Sequence, residues 1–269
     1  MRTPSERSRP PVVPGTVYLV GAGPGDPGLL TIRGSEVLGA ATVVYHDHLV
    51  SDGVRAHCAA DAQLVDVGKI GHGPQTAQQD IESRLIAAAR AGHTAVRLKG
   101  GDPFIFGRGA EEALALRAAG IPFEIVPGVS SALAVPAAAG IPLTARGVAA
   151  SVAIVTGHSL AGAPAPIPIA DTIVVLMGVA NAASIRDQLA ATGLSPDTPA
   201  AAIEWGTYDR QRVLSCTLSD LPGAIAAHGI GAPAVLVIGD VVSLRNRLRQ
   251  RETEGDAALP AAQACSFEE

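Results

Sequence analysis

The chain has 269 residues, of which 48% are hydrophobic, and this composition is typical of a globular protein with one large or two modest domains. Its net charge of −5 argues against a general nucleic-acid-binding function. No apolar run approaches the roughly 18 residues of a membrane helix, and the N-terminus lacks the apolar region of a signal peptide, so we expect a cytoplasmic protein. The three cysteines are widely spaced and form no CxxC pair, which favours reduced thiols.

Short apolar runs alternate with helical patterns from Thr16 onwards. This alternation, with short loops between the elements, predicts an α/β protein with a mainly parallel sheet. The predicted strands lie at residues 17–20, 41–45, 62–67, 95–98, 123–126, 151–156, 172–177, 200–205, 213–217 and 234–238. Helices are predicted from Pro27, from Thr76, from Ala110, after Ser130, and near 181–191 and 219–227.

The domain boundaries follow from glycine and proline content. Gly140 to Gly147 is the best linker candidate and separates an N-terminal α/β domain at 15–143 from a C-terminal α/β domain at 148–246. Residues 1–14 carry four prolines and are predicted to be a disordered lead-in, and 247–269 form a polar tail. The loop at 158–170 is long enough to act as a lid.

The first predicted strand leads into a glycine-rich loop, Gly21-Ala22-Gly23-Pro24-Gly25-Asp26. It begins like a dinucleotide-binding fingerprint, but Asp26 stands where the third glycine is needed. An acid there would repel a pyrophosphate at the helix N-terminus, whereas it can cap a helix that begins at Pro27. We therefore expect a ligand other than NAD, and keep an NAD-dependent enzyme as an alternative.

The most informative segment follows the strand at 95–98 and reads Gly100-Gly101-Asp102-Pro103-Phe104-Ile105-Phe106-Gly107-Arg108-Gly109. Open α/β sheets bind ligands at the carboxyl ends of their strands. Glycine allows the backbone to approach a ligand closely. The segment therefore predicts a binding loop with backbone contacts, a fixed acid and a hydrophobic wall.

Two other patterns have a catalytic and a structural interpretation. Gly128-Val129-Ser130-Ser131-Ala132 nearly matches the nucleophile elbow of serine hydrolases, but no histidine has a triad context, and we expect the serines to cap a helix and line a pocket. His46-Asp47-His48 ends a strand, where side chains alternate in direction and cannot all ligate one ion, so no metal site is predicted. Asp47 by itself belongs to the same predicted sheet edge as Asp102.

These motifs together resemble the uroporphyrinogen-III C-methyltransferases of the tetrapyrrole methylase superfamily. The resemblance covers about residues 15–245 and includes Val67-Gly68-Lys69, Gly140-Ile141-Pro142-Leu143-Thr144, Thr156-Gly157-His158, Met177-Gly178 and Glu204-Trp205-Gly206-Thr207. It implies a class III methyltransferase-like fold: two α/β domains with a cleft between them that binds S-adenosylmethionine (AdoMet). It also implies a homodimer that methylates uroporphyrinogen III at C2 and C7 to give precorrin-2, for sirohaem, cobalamin or related pathways.

The resemblance implies roles for individual residues. Asp47 corresponds to the proton acceptor and Lys69 to the proton donor. The AdoMet contacts that it implies are Pro24, Gly100, Gly101, Asp102, Ile105, Ser130, Ser131, Met177, Gly206 and Ala234. The substrate carries carboxylates on every pyrrole ring, for which we expect cationic partners among Arg33, Arg97, Lys99, Arg108 and Arg146.

The chain departs from the family pattern at three positions that concern substrate contacts. Ala145 stands where His is common, Ile70 where a basic residue is common, and Trp205 where Asn is common. A methylase of a later cobalamin precursor and a catalytically silent AdoMet-binding module are the alternatives. Some relatives carry a fused dehydrogenase-ferrochelatase module that is not seen in this sequence, so we expect the reaction to end at precorrin-2.

Overall fold

A computed structural model describes residues 11–68, 77–158, 166–249 and 266–268. The described chain forms two compact units, Met1–Ser130 and Ser131–Glu269, each with its own β-sheet. The mixed α/β class predicted from the sequence is therefore confirmed. Within the described residues, no helix is long and apolar enough to cross a membrane.

The first unit contains five strands and four helices among its described residues. These are β1 (Val17–Gly21), α1 (Ile32–Gly39), β2 (Val43–His46), α2 (Asp52–Arg55), β3 (Gln63–Asp66), α3 (Gln78–Arg90), β4 (Ala95–Lys99), α4 (Gly109–Ala118) and β5 (Phe123–Val126). The sheet has the order β3-β2-β4-β1-β5, and all its pairs are parallel. The parallel sheet that the βα alternation predicts is thus correct for this unit.

The interior strand β1, which lies between β4 and β5, is buried on both faces, as parallel strands usually are. Tyr18 and Val20 pack into the cluster that includes α1, and Val17 and Leu19 pack into the cluster that includes α3 and α4. The alternation follows from the two-residue period of a strand. Helices therefore cover both faces, and the carboxyl ends of the strands are left to loops.

The second unit has a mixed sheet, and here the prediction of a mainly parallel sheet is wrong. Its elements are α5 (Ser131–Ala138), β6 (Val152–Thr156), β7 (Thr172–Leu176), α6 (Ala182–Ala191), β8 (Pro199–Glu204), β9 (Arg212–Thr217), α7 (Leu221–Ala227), β10 (Ala234–Ile238), α8 (Leu244–Arg249) and β11 (Ser266–Glu268). The order is β11-β9-β8-β10-β7-β6, and among the described residues of this unit only β6 and β7 pair in parallel. β9 follows β8 with no helix between them, which permits an antiparallel pair.

The division between the units falls after Ser130 and not at the linker predicted for Gly140 to Gly147. The reason is α5, which is apolar on most of its surface. Its residues Ala132 and Val135 pack with Val174 and Val237 in the core of the second sheet. Helix α5 therefore belongs to the second unit, and the predicted boundary of 143 lies beyond it.

The predicted termini and lid are only partly described. Val13, in the predicted disordered lead-in 1–14, donates a backbone hydrogen bond of 2.8 Å to the hydroxyl of Tyr18, so the end of that segment is ordered. Residues 1–10, most of the tail 247–269 and most of the proposed lid 158–170 lie outside the described residues.

Candidate functional site

Three loops of the first unit meet at the carboxyl edge of its sheet through glycine contacts. A Cβ on Gly21 would lie 2.5 Å from the Cα of Gly128, and a Cβ on Gly128 would lie 2.3 Å from the carbonyl oxygen of Gly101. Gly101 also has φ +67°, which favours glycine. The loops after β1, β4 and β5 are therefore packed backbone against backbone.

Gly100 differs from these glycines because packing does not explain its lack of a side chain. A Cβ placed on it would meet no described atom within 4 Å, and the residue is exposed. Its backbone N–H donates to Asp47 Oδ2 over 3.2 Å. The open space above Gly100 is what a ligand that approaches the backbone closely would need.

Asp102 connects the loop after β4 to the loop after β5 by hydrogen bonds. Its Oδ1 accepts from the N–H of Phe104 at 2.8 Å, and its Oδ2 accepts from the N–H of Gly128 at 3.1 Å. The acid predicted as a ligand contact thus also has a structural role. The apolar residues that follow it, Phe104, Ile105 and Phe106, are exposed, as expected for a wall that faces something other than the core of this unit.

The predicted proton acceptor Asp47 follows β2 directly and is held by two partners. One carboxylate oxygen pairs with Arg97 Nη2, and the other accepts the N–H of Gly100. The side chain remains 33% exposed, so it is both fixed and accessible. The predicted proton donor Lys69 and the departure at Ile70 lie outside the described residues.

Arg97 and Lys99 belong to a buried cluster of charges. Cations that bind a substrate are expected to face solvent, and these two do not. Both donate to Oε1 of Glu112, Arg97 through Nε and Lys99 through Nζ, each at 3.0 Å. Glu112 is 0% exposed, and Gln78 Nε2 also donates to its Oε1, at 3.2 Å. These two cations are therefore removed from the set of expected substrate contacts.

Electrostatics within the cluster act in opposite directions on the two cations. Burial lowers the pKa of Lys99, and the charge of Arg97 lowers it further, while Glu112 and Asp47 oppose the shift. Burial alone would lower the pKa of Arg97 too, but the carboxylates of Asp47 and Glu112 outweigh it and raise that pKa above its usual value. Arg97 is thus a permanent cation beside Asp47.

The other expected substrate arginines differ in availability. Arg33 donates to both oxygens of Glu124, at 2.9 and 2.8 Å, and Arg108 donates to both oxygens of Glu111, at 2.9 and 2.6 Å. Arg146 is exposed and forms no ion pair with the part of the chain that the structure describes. It is the most available of the five cations for a carboxylate ligand.

The loop after β1 shows why the dinucleotide fingerprint is incomplete. Asp26 caps a short 3₁₀ turn, Pro27–Leu29, and its Oδ1 accepts the N–H of Gly28 at 2.7 Å. The predicted cap is therefore correct, although the helix proper begins later, at Ile32. The capping carboxylate occupies the donor that a bound phosphate would use.

The second unit places three predicted AdoMet contacts at one edge of its sheet. Met177 follows β7, Gly206 follows β8, and Ala234 begins the antiparallel β10 in register with Glu204. A Cβ on Gly206 would lie 2.3 Å from Val135 Cγ1, so this glycine is required for packing against α5. Ser130, which is buried, ends the first unit, and Ser131 begins α5 of the second.

Backbone conformation marks the same loops in both units. The non-glycine residues with positive φ in the described chain all lie after β4, β7 or β8: Phe106, Arg108, Met177, Trp205 and Thr207. Such conformations are costly and are concentrated at ligand-binding sites. The sequence motifs predicted the loops but not this strain.

Sequence reasoning missed two features of the candidate site. Glu112 lies one turn before Leu116 on the buried face of α4, and an acid at an apolar helix position is a signal that could have identified it. Trp205 carries the guanidinium of Arg210 over its ring, 3.4 Å from the centroid, and meets Tyr208 edge to face at 5.3 Å. No sequence signal predicts that stack.

Histidine and cysteine side chains do not form a metal site in the described residues. No group of three or more His, Cys, Asp or Glu side chains is close enough to hold an ion there. His46 is buried with its Nδ1 near the carbonyl of Asp47, while His48 is exposed and pairs with Asp66 at 3.1 Å. The two rings therefore have different partners and different exposure, and His48 lies beyond the end of β2 at His46.

Comparison with known proteins identifies this arrangement. Residues 16–222 match the family model described as Tetrapyrrole (Corrin/Porphyrin) Methylases. The chain is 46% identical over 246 residues to a sirohaem synthase of Pseudomonas fluorescens, covering 89% of this chain and 53% of that protein. It is 48% identical to sirohaem synthase 1 of Cronobacter sakazakii, covering 90% and 52%. The chain therefore spans about half the length of the curated relatives that it matches.

Solved structures agree with the family match over almost their whole length. The crystal structure of a uroporphyrin-III C-methyltransferase from Thermus thermophilus is 46% identical, with a TM-score of 0.76 and coverage of 87% of this chain and 98% of that one. A complex of such an enzyme with S-adenosylhomocysteine is 40% identical, with a TM-score of 0.74 and coverage of 85% and 99%. A cobalt precorrin-4 methyltransferase is 27% identical, with a TM-score of 0.74 and coverage of 85% and 96%.

Proposed function

The chain belongs to the tetrapyrrole methylases, and we propose that it uses AdoMet to methylate uroporphyrinogen III at C2 and C7, giving precorrin-2. The observation that carries this proposal is the similarity to the Thermus thermophilus methyltransferase, which covers 98% of that protein. The sirohaem synthases match over only about half their length, so they support the same module and not a further activity.

Each unit contains residues to which we assign the binding of AdoMet. In the first unit we assign Pro24, Gly100, Gly101, Asp102, Ile105 and Ser130 to its binding; in the second, Ser131, Met177, Gly206 and Ala234. The open space above Gly100 supports the fit because, among the described residues, nothing else accounts for that glycine. When bound, AdoMet supplies a methyl group that its sulfonium makes electrophilic. The protein contributes mainly position, which is worth up to about 7–11 kcal/mol in such reactions.

Asp47 is the base in this proposal. Attachment of a methyl group to a ring carbon of the macrocycle leaves one proton to be removed, and a carboxylate can accept it. Asp47 has the access that this task requires, since a third of its side chain is exposed, and its position is fixed by Arg97 and Gly100. Lys69 remains the proposed proton donor on the strength of the resemblance.

The substrate's carboxylates need cations, and the structure narrows the choice. Arg146 is the partner we assign first, because Arg97 and Lys99 are engaged with Glu112 and Arg33 with Glu124. A guanidinium binds a carboxylate in a bidentate manner, which fixes orientation as well as affinity. The departures at Ala145 and Trp205 concern this same substrate-recognition role.

A later cobalamin precursor is the second candidate substrate, since a cobalt precorrin-4 methyltransferase shares the fold at 27% identity. One assay separates the two. The purified chain is incubated anaerobically with uroporphyrinogen III and AdoMet, and the molecular mass of the product is measured by mass spectrometry. Addition of two methyl groups supports the proposal. No addition, with AdoMet still bound, would refute it and favour another tetrapyrrole or a silent AdoMet-binding module.

A further inference from the structure

Asp47 belongs to a cluster of four charged side chains that are joined by ion pairs. The cations are Arg97 and Lys99, and the anions are Glu112 and Asp47. Arg97 lies at its centre: its Nε donates to Glu112 and its Nη2 to Asp47, while its Nη1 donates to the carbonyl of Leu98 at 3.1 Å. Lys99 Nζ contacts the same carboxylate oxygen of Glu112, Oε1, as Arg97 Nε does. One guanidinium thus joins a fully buried carboxylate to a partly exposed one.

Arg97 and Lys99 place two charges in a strand whose other residues are suited to an apolar core. The neighbours of Arg97 and Lys99 on β4 are Ala95, Val96 and Leu98, all buried. Burying charges in such a place is costly, and a buried ion pair often stabilises a protein no more than apolar residues of similar volume would. Stability alone therefore does not account for the cluster.

We propose that Glu112 is a positioning residue of the methyltransfer site, which acts by holding the Arg97 guanidinium in contact with the Asp47 carboxylate. This inference rests on the proposed function, in which Asp47 is the base. Glu112 itself contacts no ligand in this scheme. It lies behind Arg97 at 0% exposure, and Arg97 is the side chain that contacts both Glu112 and Asp47.

The geometry explains why Glu112 would matter to Asp47. Without the anion behind it, Arg97 would keep only Asp47 as a charged partner, and Lys99 would repel it at close range. The Arg97 guanidinium would then be free to change position, and the Asp47 carboxylate that pairs with it would move as well. A displacement of about 1 Å in a reacting group is enough to lower a rate by about 10²-fold.

The experiment compares Glu112→Gln, Asp47→Asn and the double variant under anaerobic conditions. We measure kcat and KM with uroporphyrinogen III, the Kd of S-adenosylhomocysteine and the denaturant midpoint. Glu112→Gln should lower kcat by about 10²-fold, since misplacement affects the chemical step, with little change in KM. The double variant should be no slower than Asp47→Asn, because residues that act through one another are not additive.

The matched control is Glu124→Gln. Glu124 also pairs with an arginine of the same unit, Arg33, and the side-chain hydrogen bonds of that arginine go to Glu124 and Glu36 and not to Asp47. It should lose some stability and keep kcat. Arg97→Lys serves where Glu112→Gln does not fold. It keeps the buried charge, but a single ammonium replaces the fork that reaches both carboxylates, so kcat should again fall.

The outcomes separate this inference from the proposed function. If the wild-type chain does not methylate uroporphyrinogen III, the proposed function is wrong. If Asp47→Asn keeps full turnover, the base assignment fails and the inference with it. If Asp47→Asn is slow but folded Glu112→Gln or Arg97→Lys is as fast as wild type, the inference alone is overturned. Multiplied losses in the double variant would likewise contradict it.

Discussion

Asp47 is the residue whose replacement tests the proposed chemistry most directly. Asp47→Asn keeps the volume and can still accept the N–H of Gly100, so the fold and the affinity for S-adenosylhomocysteine should be retained. Loss of the base should lower kcat by about 10²–10⁴-fold, with a smaller effect on KM. Steady-state kinetics with calorimetry for the binding step measure both. Full turnover at both methylation steps would show that positioning alone carries the reaction.

Gly100 is the residue whose replacement tests where AdoMet binds. Gly100→Ala adds a methyl group to open space at a position without a left-handed φ, so the free energy of unfolding should not fall. If a ligand lies against this backbone, the added methyl overpacks it at a cost of about 1–3 kcal/mol. That corresponds to a roughly 5-fold to 150-fold higher Kd for S-adenosylhomocysteine, measured by calorimetry.

A matched control for this substitution is Gly223→Ala in α7. Its Cβ also meets nothing within 4 Å, and the residue lies in a helix, where alanine is preferred. It should leave the Kd of S-adenosylhomocysteine unchanged. An unchanged Kd in Gly100→Ala as well would place the ligand away from this loop.

The contact among the loops after β1, β4 and β5 can be tested at the scale of the element. Gly128→Ala would bring a Cβ within 2.3 Å of the carbonyl oxygen of Gly101 and 2.6 Å of the Cα of Gly21. Both neighbours are backbone, so the loops must separate, at a cost of about 1–3 kcal/mol. Urea unfolding should therefore show a lower midpoint than wild type, while Gly223→Ala does not. An unaltered midpoint would mean that these loops are not packed as described.

The loop after β1 makes a second prediction at this scale. Because Asp26 caps the 3₁₀ turn with its carboxylate, the turn has no free donor for a pyrophosphate and carries a negative charge at that end. The chain should bind S-adenosylhomocysteine and show no binding of NADH in a calorimetric titration. Micromolar binding of NADH, with none of S-adenosylhomocysteine, would contradict both this interpretation and the proposed function.

Elements with strong local signals were predictable from the sequence. The strands at 17–20, 95–98 and 123–126 are mainly apolar runs followed within two residues by glycine or proline, and each is present within a residue or two of its predicted bounds. Strand direction in the second unit was not predictable in the same way. A buried strand has the same apolar pattern in a parallel or an antiparallel pair, so β8, β9 and β10 lie where they were predicted, but the prediction of a mainly parallel sheet fails for them.

Side-chain partners were harder to predict than elements, because they depend on contacts distant in sequence. Arg97 and Glu112 are 15 residues apart, and Arg97 and Asp47 are 50 apart. A sequence pattern shows that each residue is charged but not that they share one buried cluster. The motifs therefore identified loops that meet at one sheet edge, and the roles of their residues stay predictions, while burial of Arg97 and Lys99 argues against the substrate contacts expected of them.

At the scale of the whole molecule, the resemblance implies a homodimer, and this stays a prediction. A specific and stable dimer should bury upwards of about 1,200 Å² of surface. The purified chain should therefore scatter light as a particle of twice the mass of one chain, and the value should hold on dilution well below the working concentration. A mass equal to one chain at working concentration would refute the prediction. Because methylation could proceed in either state, turnover measured across the same dilution series would show whether activity depends on the pair.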